Sequence, residues 1–220
     1  MEKIIEQIKE WSFLSKLPQE LEGFALQLIS RQDGTKYFIF AYENESRHRK
    51  LTILYDAATK DYLGRVTIGL TEFCDTTFIV TSLDALEKIL LEKLRITLQR
   101  MACFDVGTVE SIVVQKKILT WQYEHILPKQ IADFELFIAP NEPLRIINGS
   151  YIIIEYSHFA TESNLVIYYN IYRDEFFGEM RISRTPQMTA DFDASSLQEL
   201  EEKLEKRLVA TLEAMQRQIS

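Results

Sequence analysis

The side chains that could hold a metal ion or attack a substrate are few and scattered. His48, His125 and His158 lie in separate segments, and the only cysteines, Cys74 and Cys103, are 29 positions apart. A metal centre draws its ligands from clustered His, Cys or carboxylate groups, so the expectation is no metal and no cofactor. Cys74 reads as an ordinary, partly buried thiol. Gly-x-Ser-x-Gly elbows and the Gly-rich phosphate loops do not occur, and no catalytic residue is assigned. The carboxylate pairs Asp174/Glu175 and Asp191/Asp193 fall where turns or a helix start are expected, and read as solvated.

Two groups could bind rather than react. Arg47, His48, Arg49 and Lys50 form the basic cluster of the chain, in a turn between two strand-like runs. With Phe38, Phe40 and Tyr42 nearby, it could contact phosphate while aromatic rings stack on bases; a solvated hairpin turn is the plainer reading. The aromatic run from Tyr168 to Tyr172, with Phe176 and Phe177, could form a recognition surface or ordinary cross-strand packing. Arg65 and Arg181 share the parity of these aromatic positions. Each must reach an edge or a carboxylate, with Glu179 a candidate partner for Arg181.

The elements that position these residues come from an internal repeat. Trp11, Leu17, Pro18, Phe24 and Leu26 recur 110 positions later as Trp121, Leu127, Pro128, Phe134 and Leu136. From Tyr37 the offset is 114: Tyr37, Tyr42, Leu51, Tyr55, Gly64 and Phe78 recur as Tyr151, Tyr156, Leu165, Tyr169, Gly178 and Phe192. Ser82, Leu86, Glu87, Leu90, Leu94, Leu98 and Met101 likewise match Ser196, Leu200, Glu201, Leu204, Leu208, Leu212 and Met215. A four-residue insertion between Pro140 and Asn148 accounts for the change of offset. Shared amphipathicity could align leucines, but not Trp, Pro, Gly and Phe as well.

Each copy predicts the same elements. A short amphipathic segment carries Ile4, Ile5, Ile8 and Trp11 at helical spacing and stops before a proline. Strand-like runs follow at Phe24–Ser30, Lys36–Glu43, Lys50–Asp56 and Tyr62–Leu70, with a last extended piece at Thr77–Val80. Ser82 is the expected N-cap of a long helix from Leu83 to Ala102, with a stripe of leucines at spacings of three and four. The expected fold is α+β: a tandem α-β4(5)-α unit, antiparallel sheets each with a long C-terminal helix, residues 1–105 and 106–220, pseudo-twofold. Trp11 and Trp121 are expected to be buried.

Strand parity sorts the sheet faces. Tyr37/Ile39, Leu51/Ile53/Tyr55 and Gly64/Val66/Ile68 are placed under the helix. The opposite parity gives Phe38, Phe40, Tyr42, Thr52, Leu54, Leu63, Arg65 and Thr67. In the second copy it gives Ile152, Ile154, Tyr156, Val166, Tyr168, Phe177, Glu179 and Arg181. That second face is too apolar to stay bare, and the two second faces are expected to cover each other.

An antiparallel sheet followed by a helix, duplicated in one chain, resembles the element order of the PUR-repeat, Whirly and PC4-type single-stranded nucleic-acid-binding proteins. The resemblance implies nucleic-acid recognition around Arg47 to Lys50 and carries over no site residue. Net charge opposes it: the chain is −8 overall, and the second half holds 11 basic against 17 acidic residues, whereas nucleic-acid binding uses a basic footprint. The leading expectation is a non-enzymatic binding or regulatory protein whose partner is another protein. The alternatives are a single-stranded nucleic-acid-binding regulator and an enzyme with a site between the repeats. Two thiols with no disulfide framework, a charged N-terminal segment unlike a signal peptide and no run of about 18 apolar residues lead to a cytoplasmic expectation with no membrane partner.

Overall fold

The computed structural model describes residues 1–146 and 149–219. Ile147 and Asn148, at the end of the stretch assigned to the insertion, lie outside the described residues. The chain divides into two compact units, Met1–Asp105 and Val106–Ser220.

In the first unit, helix α1 (Glu2–Lys9) buries Ile8. Six strands follow in one antiparallel sheet ordered as in the chain: β1 (Glu20–Leu21), β2 (Phe24–Asp33), β3 (Lys36–Asn44), β4 (Arg49–Asp56), β5 (Asp61–Ile68) and β6 (Thr71–Val80). Helix α2 (Leu83–Ala102) closes the unit. Ser82 caps it by accepting a hydrogen bond from the Ala85 N–H at 3.3 Å, which satisfies one of the unpaired donors of a helix start. Leu86, Leu90, Leu94, Leu98 and Met101 are all buried, as an apolar stripe at this spacing requires.

The second unit opens with a short helix α3 (Ser111–Gln115), then β7 (Gln130–Ile131), β8 (Phe134–Ile138), β9 (Leu144–Arg145), β10 (Ser150–His158), β11 (Ser163–Asn170), β12 (Glu175–Ile182), β13 (Thr185–Met188) and α4 (Leu197–Ile219). Its seven-stranded antiparallel sheet runs β13-β12-β11-β10-β8-β7, with β9 also paired to β10. The protein is therefore α+β with two antiparallel sheets. Each sheet has more strands than the four or five expected, because two-residue strands such as β1 and β7 are too short to show alternation. The change of offset falls where β3 is met by the single bulged strand β2, whereas β10 is met by two separate strands, β8 and β9.

The parity assignment needs correction at four positions. In β3, Phe38 pairs with Leu54 but Phe40 pairs with Ile53, leaving Ile39 as an extra residue. In β10, Ile152 pairs with Tyr168 but Ile154 pairs with Ile167, leaving Ile153 extra. A bulge of one residue reverses the alternation beyond it. Phe40 and Tyr42 therefore share a face with Ile53 and Leu51, and Ile154 and Tyr156 with Ile167 and Leu165. Accordingly Ile154 and Tyr156 belong to the cluster containing Leu200, Leu204, Leu208 and Leu212 of α4. The second face of the second sheet is a separate, smaller cluster of Ile138, Ile152, Val166 and Tyr168, against which Leu144 and Ile146 of the inserted stretch pack.

Matching long-range contacts tie the segment that precedes each sheet to the helix and to the sheet in both units. Trp11 and Trp121 are buried, and their indole N–H groups donate to Glu87 at 2.6 Å and Glu201 at 2.8 Å. The hydroxyls of Tyr42 and Tyr156 donate to the carbonyls of Pro18 and Pro128, each at 2.7 Å. Burial pushes the Tyr42 hydroxyl up to about 12 and raises that of Tyr156 as well, so both remain donors at neutral pH. Gly64 on β5 and Gly178 on β12 lie under the buried rings of Phe78 and Phe192.

A Cβ on Gly64 would lie 2.7 Å from Phe78, and one on Gly178 3.1 Å from Phe192. Gly64→Ala is therefore expected to cost about 1–3 kcal/mol by overpacking, and Gly178→Ala less, because a small shift of the ring relieves it. Denaturant midpoints of the two variants check the order; equal midpoints would contradict the packing described.

Candidate functional site

The basic cluster runs from the end of a 3-10 turn (Glu45–Arg47) between β3 and β4 into the first residues of β4, Arg49 and Lys50. Asn44 caps that turn through its side chain, accepting from the Arg47 N–H at 3.1 Å. His48 follows in a left-handed conformation, φ 49°, and its carbonyl accepts from the Gly69 N–H at 2.8 Å. This local geometry aims Arg47 and Arg49 at the end of α2, where they donate to the carbonyl oxygens of Ala102 and Met101. Those carbonyls have no intrahelical partner and carry the negative end of the helix dipole. Lys50 pairs with Glu43 at 3.0 Å. Arg47, Arg49 and Lys50 are thus engaged through their side chains with their own unit, and the two arginines serve the helix.

The remaining candidates from the sequence separate. Arg65 lies on the second face of the first sheet, opposite Thr52 and Cys74. It pairs with Glu72 at 3.1 Å, and its guanidinium sits 5.7 Å from the centre of the Phe38 ring. Arg31, exposed on β2, approaches the same ring at 5.5 Å. Phe38 is half-buried and so lies between two cations, an arrangement favoured by the electron-rich ring face. Arg31 was not among the sequence candidates; its pairing with Phe38 across β2 and β3 depends on the registers of two bulged strands.

In the second unit Tyr168 is only 5% exposed and stacks on Phe177, ring centres 4.8 Å apart; burial raises its hydroxyl pKa. Arg181 pairs with Glu179 at 2.7 Å. Beneath Tyr168 lies a fully buried polar set on the same face, in which Glu155 Oε1 accepts from Ser157 at 2.9 Å and Asn164 at 2.8 Å. An open cleft of about 640 Å³ lies between β12, β13 and the start of α4, lined by Arg173, Glu175, Phe177, Met188, Asp193 and Glu199 among others.

Of the carboxylates read as solvated, Asp174, Glu175 and Asp191 form ion pairs while their side chains stay partly exposed to solvent. Asp174 Oδ1 meets Lys116 Nζ at 2.6 Å and accepts from the Tyr169 hydroxyl at 2.7 Å; Lys116 first, and then Tyr169, hold its pKa down. Asp191 pairs with Arg207. Lys203, with the N–H and hydroxyl of Ser195, lowers Glu199 to about 2.

The structure also brings together residues that the sequence separates. His125 Nε2 lies 3.2 Å from Glu201 Oε1 and 4.0 Å from Glu205 Oε1. Among the described residues these three are the set of His, Cys, Asp and Glu side chains close enough to share a metal ion. Their spacing in the chain, 76 and 80 positions, hides the grouping. The available signal was the i,i+4 carboxylate pair on the outer side of α4.

Comparison with known proteins finds no matching family model, no matching curated protein and no matching solved structure. No helix among the described residues is long and apolar enough to cross a membrane.

Two expected outcomes follow from these contacts. Arg49→Ala should destabilise the first unit by about 0.5–1.5 kcal/mol through a lost hydrogen bond to the α2 terminus, and the more exposed Arg47→Ala by less, as thermal melts would register. Asp174 and Glu199 have native pKa values below their unfolded ones. Their stabilisation is therefore complete above about pH 4–5 and is lost as pH falls through the native values. Melting temperature measured from pH 7 down to pH 2 should decline in that window, and less steeply in Lys116→Met, which removes the first-named cause at Asp174.

Proposed function

We propose that this chain is a non-catalytic binding protein, built from two copies of one α-β-α unit, whose partner is another protein. The duplication is supported by the recurrence of contacts rather than of residue types alone. Trp to Glu, Tyr to the Pro carbonyl, Gly under Phe and the Ser cap each occur once per unit. Two copies of a unit free one of them to keep the fold while the other changes its surface, and the polar groups do differ between the copies. The two cysteines are free thiols, which supports a reducing compartment such as the cytoplasm.

The observation that carries the binding reading is the Arg31–Phe38–Arg65 stack on the second face of the first sheet. Aromatic residues and arginine are each enriched at protein interfaces relative to the rest of the surface. Arg31 is exposed and has a guanidinium fork suited to a partner carboxylate. The same group favours one second reading, single-stranded nucleic acid, because guanidinium groups can meet phosphate and offer a plane on which a base stacks.

The double variant Arg31→Glu/Phe38→Ala separates these readings. Affinity capture followed by identification of the bound protein should recover a partner with the wild type and lose it with the variant; equal recovery would overturn the assignment of this face. Salt-dependent anisotropy of a labelled single-stranded oligonucleotide, present with the wild type and lost in the variant, would move the reading to nucleic acid.

A further inference from the structure

We infer that His125, Glu201 and Glu205 form a binding site for one divalent transition-metal ion of the zinc type on the second unit. The inference is independent of the first unit's sheet face. The turn at residues 124–126 is held by the Ile126 and Leu127 N–H groups, which donate to the Tyr123 carbonyl at 3.0 and 2.9 Å. This places His125 against one side of α4. Glu201 and Glu205, four residues apart, project from neighbouring turns of that helix. Zinc binds imidazole nitrogen and carboxylate oxygen at about 2.0–2.2 Å, so two donors around a tetrahedral ion stand about 3.3 Å apart. The 3.2 Å between His125 Nε2 and Glu201 Oε1 already meets that spacing. The 4.0 Å to Glu205 Oε1 closes by rotation of an exposed side chain. Water from the open side would complete the coordination.

Two features distinguish this cluster from a chance group of surface charges. The first is a positioning contact. The Trp121 indole N–H donates to Glu201 Oε2 at 2.8 Å and so leaves Oε1 directed at His125, in the manner of the outer hydrogen bonds that orient metal ligands. The second is the comparison within the chain. The first unit keeps the Trp11–Glu87 contact at 2.6 Å but has Ser15 four residues after Trp11 and Leu91 four residues after Glu87. The Trp–Glu contact is thus common to both units and occurs in the first without a histidine or second glutamate beside it. The histidine and the second glutamate have no equivalents at the corresponding first-unit positions. Glu205 beside Glu201 is unfavourable on a bare helix, since like charges at i,i+4 repel, and a divalent cation reverses that sign. One nitrogen and two carboxylate oxygens suit zinc, cobalt or manganese better than an all-oxygen cation such as calcium.

The test is calorimetric titration of untagged, chelator-treated protein with Zn²⁺, with Co²⁺ absorption and Trp121 fluorescence as second readouts. One ion per chain is expected. His125→Ser and Glu205→Leu, the residues that the first unit itself carries, should each weaken binding by at least about tenfold, and Trp121→Phe by a comparable factor through loss of the hydrogen bond to Glu201. Glu205→Gln provides an isosteric check should the leucine variant fold poorly. No saturable Zn²⁺ binding by the wild type, or affinity unchanged in both ligand variants, would overturn the site. Equal affinity for Ca²⁺ would overturn its assignment to the zinc class.

Discussion

Which side chains of β3 and β10 meet the long helices is decided by one extra residue in each strand. Without the bulge at Ile39, Phe40 and Tyr42 would point away from α2; without that at Ile153, Ile154 and Tyr156 would point away from α4. The helices each supply a row of buried leucines ending in methionine, and a row of that length needs a wide apolar bed. The bulges supply it by placing large side chains from both ends of the strand on the same face. Deep burial of tyrosines then follows, and each buried hydroxyl needs an acceptor, which Tyr42 and Tyr156 find on Pro18 and Pro128.

The remaining anchors act at the margins of that bed. A tryptophan closes one end of each helix–sheet interface and is itself fixed by a glutamate of the helix. A glycine in the fourth long strand of the first sheet admits a phenylalanine ring where a Cβ would collide, and its counterpart in the second admits one where a Cβ would be tight. In the first unit two arginines finish the far end of α2. In the second, the matching turn holds a hydroxyl and imidazole network of His158, Thr161 and Ser163 instead, with His158 Nδ1 2.7 Å from Thr161 Oγ1 and Thr161 Oγ1 3.1 Å from Ser163 Oγ.

The two units therefore make matching interior contacts and differ in their polar surfaces. The first carries its stacked Arg31, Phe38 and Arg65 on the second sheet face. The second covers part of its own second face with Leu144 and Ile146, and concentrates His125, Glu201 and Glu205 on the outside of α4. The His125 group sits beside the Trp–Glu contact that both units make, so it alters chemistry at the surface with little demand on packing.

What could be read from the sequence was whatever depends on near neighbours in the chain or on repetition. The bounds of α2, the Ser82 cap, the main strands and the α+β class follow from periodicity and local hydrogen-bonding chemistry, and these act over a few residues. The matched Trp, Pro, Gly and Phe positions were visible because they recur at fixed offsets. The tertiary structure alone decided the rest. A bulge leaves no mark on composition, so Phe40, Tyr42, Ile154 and Tyr156 were placed on the wrong face. Arg47 and Arg49 looked like a free basic patch because the carbonyls they satisfy lie more than fifty residues away. His125 looked isolated because the carboxylates beside it come from α4, and only the packing of that helix against the Trp121 turn closes the distance.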